Sequence, residues 1–167
     1  MKKIIFLFLL TVSMIRTADS QNTEQSVGLR YSAVFGLGTE IVYQHGLTMD
    51  RRLELGFGFN SRYEYINDLR QDYNSWALTG LYHKVWKLND ETNWYAGGGG
   101  ILGYWSSNQK YDSRYKNGVF LCAAGDAGIE YTFPAGIKFG LNARPELGLF
   151  NQGIGVNVGL SVSYCFR

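Results

Sequence analysis

Leu53-Glu54-Leu55-Gly56-Phe57-Gly58-Phe59-Asn60-Ser61-Arg62-Tyr63-Glu64-Tyr65 is the stretch whose reading decides the fold. Odd positions are aliphatic or aromatic, while Glu54, Gly56, Gly58, Asn60, Arg62 and Glu64 hold the even ones. Strict period two is the signature of a strand with one apolar face. The C-terminus repeats it: Val156, Val158, Leu160, Val162, Tyr164 and Phe166 alternate with Asn157, Gly159, Ser161, Ser163 and Cys165. Both strands exceed the five or so residues usual in soluble sheets. The same rule predicts eight strands, over 26–36, 39–47, 53–65, 75–86, 92–105, 118–133, 137–149 and 155–166. Short connections at Thr48 to Arg52, Lys87 to Glu91 and Pro134 to Gly136 alternate with others, of which Ile66 to Asn74 and Ser106 to Asn117 read as long polar loops.

Ahead of the strands lies an address. Lys2 and Lys3 precede the apolar run Ile4 to Val12, which is too short for a membrane-spanning helix of about 20 residues. Small residues at Ala18 and Ser20 complete a secretory leader, predicted as residues 1–20 with cleavage after Ser20. The leader carries Lys2, Lys3, Arg16 and Asp19. Of 16 bases and 14 acids, residues 21–167 therefore keep 13 (16 less 3) and 13 (14 less 1). A neutral remainder argues against a nucleic-acid partner, which calls for a basic surplus. With 46% hydrophobic residues, 18% charged, 21 Gly and 12 Tyr, the composition argues against disorder, and two Cys make no disulfide scaffold.

A soluble sandwich also alternates, so the direction of the alternation matters. The polar parity is rich in small residues such as Gly97, Gly99, Gly103, Ala124, Gly128, Gly140, Gly159 and Ser161, which suit the inside of a narrow eight-stranded barrel. The apolar parity is ordered along the strands. If both termini share one side, Trp86, Trp94, Tyr131, Phe133, Phe139, Tyr164 and Phe166 gather there, and Phe35, Tyr63, Tyr65, Trp76 and Tyr104 gather at the other end. Aliphatic residues lie between. Two aromatic girdles around an aliphatic band match the two headgroup layers of a bilayer. An open sheet in lipid would leave backbone groups unsatisfied, so the strands must close. The predicted fold is an all-β, eight-stranded antiparallel up-and-down transmembrane barrel over 21–167.

The chain resembles the eight-stranded outer-membrane barrels of the OmpX/OmpA transmembrane type, and more narrowly the small outer-membrane barrels of Bacteroidetes. The stretches that carry the resemblance are Leu78 to Trp86, Trp94 to Gly103, Gly128 to Phe133 and Arg144-Pro145-Glu146. It implies residence in the bacterial outer membrane with termini in the periplasm, contact with outer-membrane lipids and lipopolysaccharide, and insertion by the barrel-assembly machinery. That machinery reads an alternating C-terminal strand ending in an aromatic. Phe166 fits, although Arg167 follows it.

The inward parity holds Arg30, Glu40, Glu54, Arg62, Glu64, Asp126, Glu130, Lys138, Arg144 and Glu146, with His83, Asn142 and Asn157 among them. Charges in so narrow a lumen must pair. Their mixed signs favour a side-chain plug over an ion path. No nucleophile, base and acid fall together around His45 or His83, and Cys122 and Cys165 share no ligand spacing with either histidine, so neither catalysis, metal nor cofactor is predicted. The two thiols are expected at different heights on the inward face, without a disulfide. Pro145 inside a strand predicts a bulge, and outward Lys84 is expected to reach the interface beside Trp86. The functional expectation is a non-enzymatic barrel with Tyr73, Gln109, Tyr111 and Tyr115 as loop contacts. An accessory subunit of a larger outer-membrane complex, a lipid A or phospholipid-modifying enzyme, and a narrow channel are the competing readings.

Overall fold

The computed structural model describes residues 24–32, 38–66, 69–107, 118–149 and 153–166, with side chains left out for 62–66, 69–73 and 107. Eight strands form one closed antiparallel barrel: β1 Gln25–Ser32, β2 Gly38–Thr48, β3 Arg51–Ile66, β4 Leu69–Lys87, β5 Thr92–Ser107, β6 Gly118–Thr132, β7 Ile137–Gly148 and β8 Ile154–Phe166. Closure is direct, because β1 pairs with β2 on one edge (Arg30 opposite Glu40) and with β8 on the other (Arg30 opposite Ser161). The ring of eight strands is therefore continuous, each strand hydrogen-bonded to a neighbour on both sides.

The alternation that predicts the strands also sets which way each side chain points. Along β3, Arg52, Glu54, Gly56 and Gly58 are buried in the lumen, and Leu53, Leu55, Phe57 and Phe59 are exposed on the outer wall. On β8, Val156, Val158, Leu160, Val162 and Tyr164 face outward in turn. The large apolar side chains thus form a continuous outer belt, the reverse of a water-soluble protein. Trp86 and Trp94 are cross-strand partners stacked at 4.1 Å, worth about 0.5–1.5 kcal/mol beyond their burial. Tyr131, Phe133 and Phe139 continue that rim through edge-on contacts, with Tyr164 and Phe166 on β8 at the same end. Trp76 and Tyr104 pair across β4 and β5 at the opposite end, with ring centroids 6.2 Å apart. Outward Lys84 lies with its ammonium 5.4 Å from the Trp86 ring.

Two glycines show why this backbone needs them. Gly136 closes the β6–β7 turn with φ of 80° and donates its N–H to Phe133 O at 2.9 Å, a conformation that penalises any side chain. Gly97 on β5 lies under His83, where a Cβ would strike the Tyr82 carbonyl and sit 2.8 Å from His83 Cδ2. Gly97→Val should therefore block the seating of β5 on β4. The expected readout is loss of the folded, heat-shiftable band on a semi-native gel, while Gly80→Val, whose Cβ would meet nothing within 4 Å, keeps it.

Several expectations need correcting. Ile66 to Asn74 is not a long loop: β3 and β4 pair out to Ile66 opposite Leu69, so the hairpin rises as a ladder. The turn before β3 is tighter than Thr48 to Arg52, because Arg51 and Arg52 already pair with Lys84 and His83. Pro145 causes no bulge. Pairing stops at Ala124–Glu146 and resumes at Ala127–Ala143 in unchanged register, so the ladder is interrupted rather than shifted. The register does slip elsewhere, between Gly46 and Thr48. Of the predicted first strand, 33–36 lies outside the described residues, as does the leader.

Candidate functional site

Charged groups on inward parity from five strands meet in the lumen. Arg30 from β1 donates two parallel hydrogen bonds to Glu54 from β3, at 2.7 and 2.9 Å. This fork-to-fork geometry is the strongest form of a guanidinium–carboxylate pair. Gln44 Nε2 adds a third donor to Glu54 at 2.9 Å. Arg144 from β7 reaches across to Glu40 on β2, with Nη1 at 3.1 and 3.2 Å from its two oxygens, and lies 3.5 Å from Glu54 and 3.9 Å from Asp126. Thr79 Oγ1 also donates to Glu40. Both glutamates and both arginines are at most 2% exposed.

Beside this quartet, Asp126 accepts from Asn142 Nδ2 at 2.6 Å and faces His83 Nε2 at 3.2 Å. His83 Nδ1 receives the Arg52 Nε–H at 3.4 Å, which assigns the ring proton to Nε2, on the Asp126 side. Tyr95 completes the group, its ring 4.7 Å from the imidazole and 4.4 Å below the Arg52 guanidinium. Nearer the termini, Arg52 binds both oxygens of Glu130 at 2.8 and 2.7 Å. Lys138 joins Glu24 at 2.6 Å, Gln44 at 3.2 Å and Glu130 at 4.0 Å. The upper lumen on the β4–β6 side is apolar instead, filled by Ala77, Leu81, Ile101, Cys122 and Ala124 with Phe120 against them.

Of the sequence-predicted lumen residues, Arg30, Glu40, Glu54, Asp126, Glu130, Lys138 and Arg144 are gathered into this network. Glu146 stands outside this network, opposite Ala124 on β6, half-buried and held by Asn157 Nδ2 at 2.6 Å. Arg62 and Glu64 pair in the β3–β4 ladder with Tyr73 and Gln71, but their side chains lie outside the described residues. Tyr73 is thus a strand residue, paired with Arg62 and Ser107, and its side chain lies outside the described residues. Gln109, Tyr111 and Tyr115 fall outside the described residues. Sequence reasoning missed Arg52, assigned to a turn, and Glu24, placed before the first strand. It also missed Gln44 and Tyr95, whose inward parity was available to read. Cys122 and Cys165 both sit on inward parity and are not disulfide-bonded.

Glu54, His83 and Asp126 offer ligand atoms within 4.8 Å of one another, a spacing that invites a metal reading. The chemistry opposes it. Arg30 and Gln44 already engage the Glu54 carboxylate, Arg144 stands beside both acids, and Arg52 faces the imidazole, so fixed cations fill the role an ion would take.

At the rim, burial would raise the Glu24 carboxyl, but the Lys138 ammonium overrides this and holds it below the ordinary carboxylate range. A depressed acid stabilises the fold above its unfolded pKa, about 4.3, and that contribution is lost as pH falls through the folded value. Glu24→Gln should flatten the acid side of the stability–pH profile below about pH 4, read by urea unfolding in vesicles. In the β2–β3 turn, the Thr48 hydroxyl and Arg51 hold exposed Asp50 low.

No protein-family model matches the chain, and no curated protein matches it in sequence. Solved structures do. The N-terminal β-barrel domain of Pseudomonas aeruginosa OprF superposes with a TM-score of 0.56 at 16% identity, over 86% of this chain and 96% of that one. Ail, the attachment invasion locus protein of Yersinia pestis, gives 0.56 at 15% identity over 86% and 97%. Neisserial surface protein A gives 0.58 at 11% identity over 86% and 96%. Ail is also described as an outer membrane protein in a phospholipid bilayer nanodisc. With its closed eight-stranded meander and apolar outer belt, the chain has the fold of the eight-stranded transmembrane barrels found in bacterial outer membranes.

Proposed function

We propose that the protein is a non-enzymatic integral protein of the bacterial outer membrane, exported by its N-terminal leader, with termini in the periplasm and the β3–β4 and β5–β6 connections turned outward to make contacts. The observation that carries this reading is the sealed lumen. Arg30, Arg52, Lys138 and Arg144 are each engaged with carboxylates from other strands, and Leu81 and Ile101 fill the remaining side. Such an interior favours a rigid plug over an ion path or a substrate cleft. His83, the one lumen histidine, is enclosed by Arg52, Asp126 and Tyr95, an arrangement that holds the imidazole in place rather than against a serine or threonine. The likeness to barrels named for attachment and for the cell surface supports an interaction role.

Two measurements test it. The wild-type barrel in planar bilayers should be silent; discrete conductance steps would overturn the plug. Lipid A and phospholipid profiles by mass spectrometry should be unchanged when the gene is deleted; a missing or added acyl chain would overturn the non-enzymatic reading. Pull-down of the tagged protein from its own membrane identifies the partners of the outward connections.

A further inference from the structure

The wall between β6 and β7 is broken where the Pro145 ring replaces a backbone donor. Proline offers no N–H to the ladder. Pairing lapses across Gly125–Asp126 on β6 and Arg144–Pro145 on β7, and the strands stay in register above and below. Pro145 points outward, and so does Gly125 opposite it. Gly125 keeps the breach open, since a Cβ there would sit 3.2 Å from Pro145 Cγ. The result is a cavity of about 400 Å³, opening on the outer face and lined by Ala123, Gly125, Pro145, Leu147 and Ile154, with Glu146 at its inner edge. That volume falls among small-molecule sites, about 300–1,000 Å³.

We propose that this notch binds one hydrocarbon chain of a membrane lipid. Its position selects the occupant. Gly125 is the middle residue of the 15-residue β6, midway between the two aromatic rims, so the opening is continuous with the belt that contacts the bilayer interior. The lining has the shape a chain requires. Leu147 and Ile154 stand up on one side, exposed by 49% and 79%, while Gly98 and Gly100 of β5, opposite Gly125 and Ala123, leave a low floor on the other. The notch is blind. Asp126 and Arg144, the residues next to Gly125 and Pro145, face each other across the lumen side of the breach at 3.9 Å and belong to the plug. The site therefore holds a chain laterally and gives it no way through.

The test uses the full barrel in phosphatidylethanolamine vesicles containing a phospholipid with a diazirine at the middle of one acyl chain. After irradiation, labelled residues are mapped by peptide mass spectrometry. Labels should concentrate on 123–125, 145–147 and Ile154. Gly125→Leu, which fills the notch with its own side chain, should reduce labelling there about tenfold, while Gly80→Leu on the outer face of β4 leaves it unchanged. If Gly125→Leu fails to show the folded band on a semi-native gel, Pro145→Thr, which restores the ladder donor and closes the breach, should give the same loss. Labels spread over the outward residues of all eight strands, labelling that neither variant reduces, or cross-links between two copies through the notch in place of lipid adducts would each overturn the proposal.

Discussion

Replacing Arg144 with leucine should cost the folded barrel about 3–5 kcal/mol, the penalty for stripping one partner from a buried ion pair. The size follows from what Arg144 neutralises. Its guanidinium lies within 3.1–3.9 Å of Glu40, Glu54 and Asp126, three carboxylates that come from three different strands. Without it only Arg30 is left among them, already committed to Glu54 and 3.7 Å from Glu40. Urea titration in phospholipid vesicles, followed by tryptophan emission, should show the midpoint move sharply down. The double variant Arg144→Leu/Glu40→Gln should recover a large part of the loss, because it removes the orphaned charge along with its partner. A cost below about 1 kcal/mol would instead put the pair in the range of solvated surface contacts and mean that water fills the lumen.

The second large effect concerns the outer wall. Leu160 lies opposite Leu141 at mid-height and is 65% exposed, at the centre of the apolar outer belt. Leu160→Arg should destabilise the barrel by about 2–4 kcal/mol, the cost of an arginine at the bilayer midplane. Leu47→Arg, at the turn end of β2, should cost about 0–1 kcal/mol, because a long side chain there reaches the headgroups. Depth dependence is the decisive feature: equal costs at both sites would indicate a face buried against protein rather than against hydrocarbon.

How much of this was legible in the chain can be judged strand by strand. The β3 and β8 alternation yields strand identity and facing together, because a period of two fixes every side chain's face once one residue is known to face lipid; the pairing register is fixed by parity only to a multiple of two residues. Inward facing of Arg30, Glu40, Glu54, Asp126, Glu130, Lys138 and Arg144 follows from parity alone. Which acid meets which base does not, since pairing depends on height and on position around the circumference, and those arise only when β1 meets β8. Arg52 was hidden by its neighbours: Asp50-Arg51-Arg52 reads as a polar turn, and the structure spends only Met49 and Asp50 on it. The stretch 66–74 read as a loop because most of its residues are polar. Polarity alone does not mark a loop, however, and a polar stretch can remain a paired ladder, as β3 and β4 do out to Ile66 opposite Leu69. Pro145 was recognised as a misfit, but its remedy was misread, because a lost donor can be absorbed by an interruption as well as by an added residue.

The reach of the ion pairs along the chain bears on how such a barrel can enter a membrane. Arg30 is 24 residues from Glu54, Arg52 is 78 from Glu130, and Arg144 is 104 from Glu40. None of these three closest pairs lies within one hairpin; the contacts that do, Arg30–Glu40, Lys138–Glu130 and Arg144–Asp126, are 3.7–4.0 Å long, so a hairpin inserted alone would forgo its tightest charge partners in hydrocarbon. The tight, hydrogen-bonded pairing is a property of the closed ring. The lumen chemistry thereby makes piecemeal insertion unfavourable and couples crossing of the bilayer to the final joining of first and last strands.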